Sequence, residues 1–445
     1  MKLRSSWEDW GMSSDMIETI LKDHLVFKNG KTSPLRDDNG IFPVYGSNGI
    51  IGYSNEYNSP EFSIIIGRVG SYCGSVYFSK EKCWITDNAI SCNSINNDES
   101  LFWFYLLNHL NLNQFRTGSG QPLLNQTILN SIKARIPQIK EKRLFIGHIL
   151  SHIDSKIQNN DNINVILESI AQTLFKSWFV DFDPVKAKIV AKAKGEDPQL
   201  EAMMAISGKT AAEINQLPAE KRRELADTAD LFPDEMEDSE LGEIPKGWKA
   251  IPLYETAEYV NGGVFKANDF STNKEGLPVI KIAELKSGIS DQTEYTIKEF
   301  PEKYRINSGD ILYSWSGSPE TSLEAFKWFG GEGWLNQHIF KINTKTAEQK
   351  IFVYFLLKYL KPVLIDTAKN KQTTGLGHVT VADMKRIKVV FPDKKAIRLI
   401  QMKMSSLFLF SSNSQKQNIV LEKLRNSLIP KLISGGLNMD KKGKQ

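Results

Sequence analysis

The sequence has no apolar segment long enough to cross a membrane as a helix, because no run approaches the ~18 residues that such a span requires. The first residues, MKLRSSWEDWGMSS, also contain no apolar signal core. We therefore expect a soluble, cytoplasmic protein without a membrane partner. Its 445 residues are enough for two or three domains with hydrophobic cores of their own.

Cysteine is scarce. The chain contains three cysteines, Cys73, Cys83 and Cys92, an odd number without a C-x-x-C pair. This pattern argues against a disulfide framework and against a zinc site. We expect the three thiols to pack inside the protein, and we expect no metal site.

Complete catalytic motifs are also missing. Two G-K-T triplets, at residues 30–32 and 208–210, end like phosphate-binding loops, but Leu25 and Met203 stand where the first glycine is required. Asp269 with Glu284-Leu285-Lys286 fits a nuclease pattern only loosely. No nucleophile, base and orienting group stand together in the sequence. We therefore expect no catalytic residue, and no cofactor bound by this chain.

Net charge is small, at +4, but it is distributed unevenly. Residues 224–245 contain nine acidic residues and no Lys or Arg. The rest of the chain is accordingly basic, which suits the binding of phosphates. The acidic segment itself fits a solvated linker equally well, and its role stays open.

One long amphipathic stretch is present between Ile136 and Phe179. Pro137 can begin a helix there, and the next proline is Pro184. A helix of 40 residues would be about 60 Å long. Its apolar stripe recurs every three to four residues, which indicates packing against a partner helix. The heptad positions are Ile139, Ile146, Ile153, Asn160, Leu167 and Leu174, with Ile149, Ile163 and Ile170 between them.

The partner helix is predicted within the same chain, between Phe391 and Ile433. A shift of 254 residues aligns the two stripes and places Asn160 on Ser414, so both carry a polar residue at one seam position. Such residues can determine the register of a coiled coil. The alternative is two unrelated amphipathic helices. The aligned seam positions of the second stretch are Ile400, Leu407, Ser414, Leu421 and Leu428.

Similarity extends to the globular region that precedes each stretch. Pro43-Val44 matches Pro278-Val279, residues 63–70 match residues 310–317, and Asn88-Ala89-Ile90 matches Gln337-His338-Ile339. Runs typical of strands, such as SIIIGRV, occur together with one strongly apolar helix, LFWFYLLNHL or IFVYFLLKYL. We predict an α+β fold with a pseudo-two-fold internal repeat: two similar globular α/β domains joined by two long antiparallel coiled-coil helices. The predicted boundaries are 1–136 for the first domain, 137–182 for the first helical spacer, 183–245 for a helical, acidic connector, 246–391 for the second domain, 392–437 for the second spacer and 438–445 for a flexible basic tail.

Polar, glycine-rich loops recur at matching places in the two copies. Asn, Gln and Arg can form paired hydrogen bonds with base edges, while Lys, Ser, Thr and backbone amides suit phosphates. Each loop alone is equally compatible with ordinary turn chemistry. Their recurrence with different side chains suggests one scaffold that recognises two DNA sequences. The candidate DNA-binding residues of the first copy are Tyr45, Ser47, Asn48, Arg68, Ser71, Tyr72, Asn88, Arg116, Ser119 and Gln121. Those of the second copy are Lys281, Trp315, Ser316, Ser318, Gln337, His338, Lys371, Gln372 and Thr373.

This order of motifs resembles the specificity subunits of type I restriction-modification systems over nearly the whole chain. The resemblance is carried by FPVYGSNGIIGY, IIIGRVGSYCGSVYF, WITDNAIS, TGSGQPLLNQ, FKSWFVDFDPVKAK and SELGEIPKGW, in that order. The second copy departs from it, because Thr374-Gly375-Leu376-Gly377-His378 replaces the Gly-Ser-Gly-Gln loop.

The resemblance implies a non-catalytic chain that binds both halves of an interrupted, asymmetric site on double-stranded DNA, with the helices setting the gap. It implies two modification (methyltransferase) subunits that carry S-adenosylmethionine and methylate adenine. It also implies restriction subunits that use ATP and Mg for translocation and cleavage. We expect an aromatic subunit interface at Phe175, Trp178, Phe179 and Phe182.

Two other classes stay open at this point: a diverged DNA methyltransferase or nuclease, and a stand-alone DNA-binding or scaffold protein. Binding of S-adenosylmethionine or DNA cleavage by the purified chain would favour the first class. Stable, site-selective binding without a partner would favour the second.

Overall fold

The computed structural model describes residues 16–117, 122–371 and 376–435. It divides into two compact units: unit 1 lies within Met1–Asn159 and Val420–Gln445, and unit 2 is Asn160–Ile419. Each unit combines a globular region with one end of each long helix. The domain boundaries that we derived from the sequence remain a prediction.

Unit 1 begins with a globular region of short strands. Its elements are β1 Met16–Ile20, β2 Leu25–Asn29, β3 Phe42–Gly46, β4 Gly49–Ser54, β5 Ser63–Gly67, β6 Val76–Ser79, β7 Trp84–Ile85, β8 Ala89–Ser94, α1 Ser100–His109, α2 Gln126–Ser131 and β9 Lys133–Pro137. The sheets have the orders β2-β8-β5-β6 and β4-β3-β7, and β1 pairs with β9. Strand β5, with the sequence SIIIG, is buried along its whole length, as its β-branched run predicts.

A long helix and a mainly helical connector follow. They comprise α3 Lys140–Phe179, α4 Asp183–Lys194, α5 Pro198–Ser207, α6 Ala211–Asn215, α7 Ala219–Ala229, β10 Met236–Ser239 and β11 Gly242–Pro245. Helix α3 begins after Pro137 and ends before Pro184, which occupies the first turn of α4. The connector ends in an antiparallel β10–β11 pair, which was not predicted from the sequence of this segment.

The globular region of unit 2 follows the connector. Its elements are β12 Lys249–Pro252, β13 Glu258–Asn261, β14 Leu277–Ile280, α8 Ile282–Ser287, β15 Tyr295–Thr296, β16 Arg305–Ile306, β17 Ile311–Ser314, β18 Ser316–Gly317, α9 Pro319–Ser322, β19 Glu324–Lys327, β20 Gly333–Leu335, β21 Ile339–Asn343, α10 Ala347–Tyr359, α11 Lys361–Lys369, β22 Gly377–His378, α12 Val381–Arg386 and β23 Lys388–Phe391. The second long helical stretch consists of α13 Lys394–Leu399, a π-helical turn Ile400–Met404 and α14 Ser405–Ile433.

The two globular regions share one sheet topology. The order β13-β21-β17-β19 in unit 2 matches β2-β8-β5-β6 in unit 1, and β15-β14-β20 matches β4-β3-β7. Gly30 N–H donates to Ala89 O and Gly262 N–H to Ile339 O, both at 3.1 Å. A Cβ at Gly30 or Gly262 would lie 1.9 Å from Thr86 O or 2.2 Å from Asn336 O, so both places require glycine. These shared features confirm the α+β fold with an internal repeat.

In unit 1 the core joins the globular region to the start of α3 and the end of α14. Phe102 and Trp103 of α1 pack in one cluster with Ile146 of α3 and Leu432 of α14. Beside this cluster, Arg143 forms a buried, two-point ion pair with Glu99, with N–O distances of 2.7 and 3.1 Å. Arg143 also donates to the carbonyl groups of Pro137 and Gln138, and such additional hydrogen bonds help to offset the cost of burying the charge.

In unit 2 an aromatic core surrounds the end of α3. Phe175 and Phe179 pack against Phe352 of α10, and Phe179 also stacks on Trp248. The predicted subunit-interface residues Phe175, Trp178, Phe179 and Phe182 are 1%, 2%, 3% and 7% exposed. The prediction of an aromatic interface was therefore wrong, because these rings form the core of unit 2.

Helices α3 and α14 contact each other in both units. In unit 1, Ile146 shares a core with Leu432, and Asp154 accepts a hydrogen bond from Arg425 at 2.6 Å. In unit 2, Asn160 Nδ2 donates to Asn418 Oδ1 at 2.8 Å. Within unit 1 the pairing moves toward lower numbers on α14 as α3 advances, as an antiparallel pair requires.

The residues of the predicted seam differ in burial. Ile146, Asn160, Ile400 and Ser414 are buried, and Ile153, Leu167, Leu174, Leu407, Leu421 and Leu428 are half-buried. Asn160 is bonded to Asn418 and Gln417 rather than to Ser414. Ile163 and Ile170, predicted between the heptad positions, are 37% and 45% exposed. A straight helix drifts about 20° per heptad relative to a strict seven-residue repeat, so one stripe cannot remain buried along 40 residues.

Within residues 16–117, 122–371 and 376–435, no helix combines the length and the apolar character that a membrane span needs.

Candidate nucleic-acid interface

Three loops of unit 1 meet around the Ser47 hydroxyl. Ser47 lies in the turn between β3 and β4, and its Oγ donates to Asn88 O at 2.5 Å. The same oxygen accepts from Val69 N–H, just after β5, at 3.4 Å. The hydroxyl therefore holds together the loops after β3, after β5 and before β8.

A fourth loop joins them through Arg68. Arg68 N–H donates to Asn88 O at 3.0 Å, and Arg68 O accepts from Leu124 N–H at 3.0 Å. Thr117 and Leu123 are paired by hydrogen bonds in both directions, each at 3.0 Å. Four segments that carry candidate residues of the first copy, around Ser47, Arg68, Asn88 and Thr117, are thus linked by hydrogen bonds.

The close approach of these loops depends on Gly67. A Cβ there would lie 2.2 Å from Tyr72 O and 2.8 Å from Ser47 O. Any other residue would push the loops apart, so the backbone geometry requires glycine at position 67.

The side chains of the candidate residues in unit 1 differ in accessibility. Those of Asn48, Ser71, Tyr72, Asn88 and Arg116 are exposed, while Ser47 and Arg68 are half-buried. Tyr45 is 6% exposed and packs with Ile65 and Ile85, so the prediction that its side chain binds DNA was wrong. Burial also raises the pKa of the Tyr45 hydroxyl. Ser119 and Gln121 lie outside the described residues.

In unit 2 the equivalent place is occupied by Trp315. Its N–H donates to His338 O at 3.3 Å, and its carbonyl accepts from Val379 N–H at 2.9 Å. These bonds repeat those of Arg68 in unit 1. The indole ring lies 5.7 Å from the His338 ring and 6.5 Å from the His378 ring, and its Nε1 donates to Asn261 Oδ1 at 3.0 Å.

The remaining candidates of unit 2 lie either near Trp315, in the Trp315 cluster formed with His338, His378 and Asn261, or in ion pairs elsewhere in the unit. His338 is exposed, and Ser316, Ser318 and Gln337 are half-buried. Lys281 forms an ion pair with Glu294 and lies 5.0 Å from the centre of the Phe270 ring. Gln372 and Thr373 are outside the described residues.

Lys371 joins α12 rather than the Trp315 cluster. Its ammonium lies 2.6 and 2.7 Å from the two carboxylate oxygens of Asp383. Burial alone would raise the pKa of Asp383, but hydrogen bonds from Lys371 and Thr380 hold it well below its usual range. This lysine therefore serves as a local structural contact in the free protein.

Sequence reasoning missed three residues at these sites: Asp87, Asn261 and His378. The sequence alignment of the two copies also matched Asn88 with the wrong residue of unit 2, one position away from its structural equivalent. Arg68 N–H binds Asn88 O, and Trp315 N–H binds His338 O, so Asn88 corresponds to His338 rather than to Gln337. The signal that could have found Asp87 is its place beside Asn88 in a turn.

Chemically, the two sites offer hydrogen-bond donors and acceptors on a rigid backbone. Unit 1 presents amide, hydroxyl and guanidinium groups, and unit 2 presents imidazole, amide and indole groups. In the part of the chain that the structure describes, no group of three or more His, Cys, Asp or Glu could hold a metal ion. Groups of this kind suit the edges of bases and the phosphates of a nucleic acid.

Comparisons with known proteins also support a nucleic-acid interface. A family model described as "Type I restriction modification DNA specificity domain" matches residues 15–169 and 245–423. The chain is 30% identical over 332 residues to the type I restriction enzyme HindI specificity subunit of Haemophilus influenzae, covering 71% of each chain. It is 24% identical to the MjaIX specificity subunit of Methanocaldococcus jannaschii, covering 73% of this chain and 65% of the relative.

A solved structure has the same fold over nearly the full length. It is the crystal structure of the S subunit of a type I restriction-modification system from M. genitalium, with a TM-score of 0.57 and 15% identity. The alignment covers 99% of both chains.

Proposed function

Since the chain belongs to the type I restriction-modification DNA specificity family, we propose that it recognises an interrupted, asymmetric site on double-stranded DNA, with one half of the site bound by each unit. Recognition of a DNA target is the role of the family. The division of the target between the two units is the proposal.

The observation that carries this proposal is the duplicated loop cluster. Arg68 and Trp315 occupy equivalent backbone positions, as do Asn88 and His338, but their side chains differ in kind. A duplicated scaffold with altered side chains is what two different half-sites would require.

The helices α3 and α14 would set the gap between the half-sites. Each of them contributes one end to each unit. One heptad could be inserted into each of the two helices, on the same side of the Asn160–Asn418 contact. This insertion would lengthen the helix pair by about 10 Å, or about three base pairs of DNA. We expect the gap to lengthen and both half-site sequences to persist, as mapped by methylation. An unchanged gap would count against this role of the helices.

The catalytic steps would belong to partner proteins. We propose that two modification subunits bind S-adenosylmethionine and methylate one adenine in each half-site. Restriction subunits would use ATP and Mg to translocate and cleave unmethylated DNA. This chain would bind none of these cofactors and would position the other subunits on the target.

The test is a map of methylated adenines in a genome whose cells produce this chain with its cognate modification subunit. We expect one motif, with two short defined segments separated by a fixed number of undefined bases. Omission of this chain should abolish methylation at the motif. A continuous motif, or methylation that persists without the chain, would contradict the proposal.

A further inference from the structure

A β-turn with two projecting side chains stands at the same place in each unit. Turn 1 is residues 86–89, in which Ala89 N–H donates to Thr86 O at 2.9 Å; turn 2 is residues 336–339, in which Ile339 N–H donates to Asn336 O at 3.1 Å. The central residues are Asp87-Asn88 in turn 1 and Gln337-His338 in turn 2. Each turn lies immediately before the strand that occupies the second position of the four-stranded sheet.

The backbones of both turns are held by the same hydrogen bonds. Thr86 N–H donates to Tyr45 O at 2.9 Å, and Asn336 N–H donates to Ile280 O at 3.0 Å. At the other end, the carbonyl groups of Asn88 and His338 accept from the residue that follows the neighbouring strand, at 3.0 and 3.3 Å. Because the backbone is held at both ends, a central side chain can change without moving the turn.

The central side chains face solvent. Those of Asp87, Asn88 and His338 are exposed, and that of Gln337 is half-buried. Both turns therefore present two polar side chains from a rigid support, which is the arrangement that accurate recognition needs.

The two turns carry different chemistry. The amide of Asn88 or Gln337 matches the paired donor and acceptor on the major-groove edge of adenine, and the carboxylate of Asp87 can accept from the amino group of cytosine. His338 offers one donor and one acceptor when it is neutral. Identical turns with different central residues would select different bases.

We propose that these central side chains determine base specificity, turn 1 for one half-site and turn 2 for the other. This inference rests on the proposed function and adds the residues that make the base contacts. Asp87 and Asn88 act as one pair and Gln337 and His338 as the other, while Ser47 positions turn 1 through its bond to the Asn88 carbonyl.

The test uses the full chain with its cognate modification subunit, with methylated adenines mapped genome-wide. Asn88→Ala should reduce discrimination at one base pair of one half-site by about 5- to 150-fold, the range expected for loss of a paired base contact. His338→Ala should relax one position of the other half-site. The gap and the partner half-site should stay as in the unchanged protein.

Two conservative variants distinguish a change in base preference from a loss of folding. Asn88→Asp and His338→Gln keep the approximate shape of the side chains and should alter base preference rather than abolish it. Asn55→Ala in unit 1 and Asn273→Ala in unit 2, both at exposed positions outside the turns, should leave the motif unchanged. The thermal unfolding midpoint of each purified complex shows whether the variant is folded.

The outcomes of these experiments distinguish a failure of this inference from a failure of the proposed function. If the unchanged protein directs methylation to a bipartite motif but folded Asn88 and His338 variants retain that motif with undiminished discrimination, the inference is overturned and the function stands. Relaxation of both half-sites by one variant would also overturn it. If the unchanged protein shows no bipartite motif, the function and the inference fall together.

Discussion

Unit 1 and unit 2 share the strand order β2-β8-β5-β6 or β13-β21-β17-β19 and the backbone hydrogen bonds around it, but they hold the long helices by different chemistry. Unit 1 attaches the start of α3 through the buried Arg143–Glu99 ion pair. Unit 2 surrounds the end of α3 with aromatic rings, among them Phe175 and Phe352. The two units therefore combine one backbone pattern with different core contacts and different side chains in their exposed turns.

The largest effect should follow a change in the aromatic core of unit 2. Phe175→Ala should lower the free energy of unfolding by about 4 kcal/mol, because it removes a buried ring and leaves a cavity. Urea unfolding of the full chain measures the change. Val165→Ala, at a position on the same helix that is 69% exposed, should have little effect. Equal effects at the two positions would mean that the aromatic core does not stabilise this end of α3.

A slightly smaller loss is expected in unit 1. Arg143→Ala should lower the free energy of unfolding by about 3 kcal/mol, because Glu99 is left charged and buried without its partner. The control is Lys140→Ala, which removes an exposed ion pair with Asp98. If Glu99→Gln in the Arg143→Ala background restores no stability, the buried charge is not the cause.

The polar seam position should contribute less. Asn160→Ala removes the hydrogen bonds to Gln417 and Asn418, each 2.8 Å long, and should lower the free energy of unfolding by about 1–2 kcal/mol. The adjacent, exposed Asn159 is the matched position for a control substitution to Ala. A change at Asn160 no larger than that at Asn159 would show that the seam tolerates the loss of its polar contact.

The smallest expected effect, over a step of one pH unit, is a pH dependence specific to unit 2. Lys327 donates to Ser411 Oγ at 2.7 Å and lies 4.9 Å from the centre of the Phe408 ring. Burial lowers its pKa to about 8. Between about pH 8 and the ordinary lysine pKa of 10.5, the unfolded chain holds this proton and the folded chain does not. Stability contributed by this group therefore rises with pH across that window, by at most about 1.4 kcal/mol per pH unit.

Lys327→Met removes this titration, and the difference between the two proteins isolates it from other groups. Urea unfolding at several values between pH 7.5 and 10 should show the difference change in the direction that favours the original protein as pH rises. A difference that stays constant over this range would show that Lys327 keeps its ordinary pKa.

Sequence patterns predicted the architecture because its requirements are local or repeated. The β-branched SIIIG run indicated a strand, which is buried along its whole length. The match of Pro43-Val44 to Pro278-Val279 lies on the equivalent strands β3 and β14. The polar character of Asn160 also indicated a special seam position.

The remaining errors have physical causes in long-range packing. Phe175 and Trp178 were placed on the surface because their partners, Phe352 and Phe232, lie far along the chain. The match of Asn88 to Gln337 was wrong by one residue. The hydrogen bonds from Arg68 to Asn88 and from Trp315 to His338 define the equivalent positions, and these contacts are not visible in the sequence.

The most direct test of the central claim is an exchange of residues 1–136 for the corresponding region of another family member, followed by mapping of methylated adenines with the cognate modification subunit. The account predicts a hybrid motif in which one half-site is new, while the other half-site and the gap are unchanged. A motif altered in both halves would contradict the assignment of one half-site to each unit.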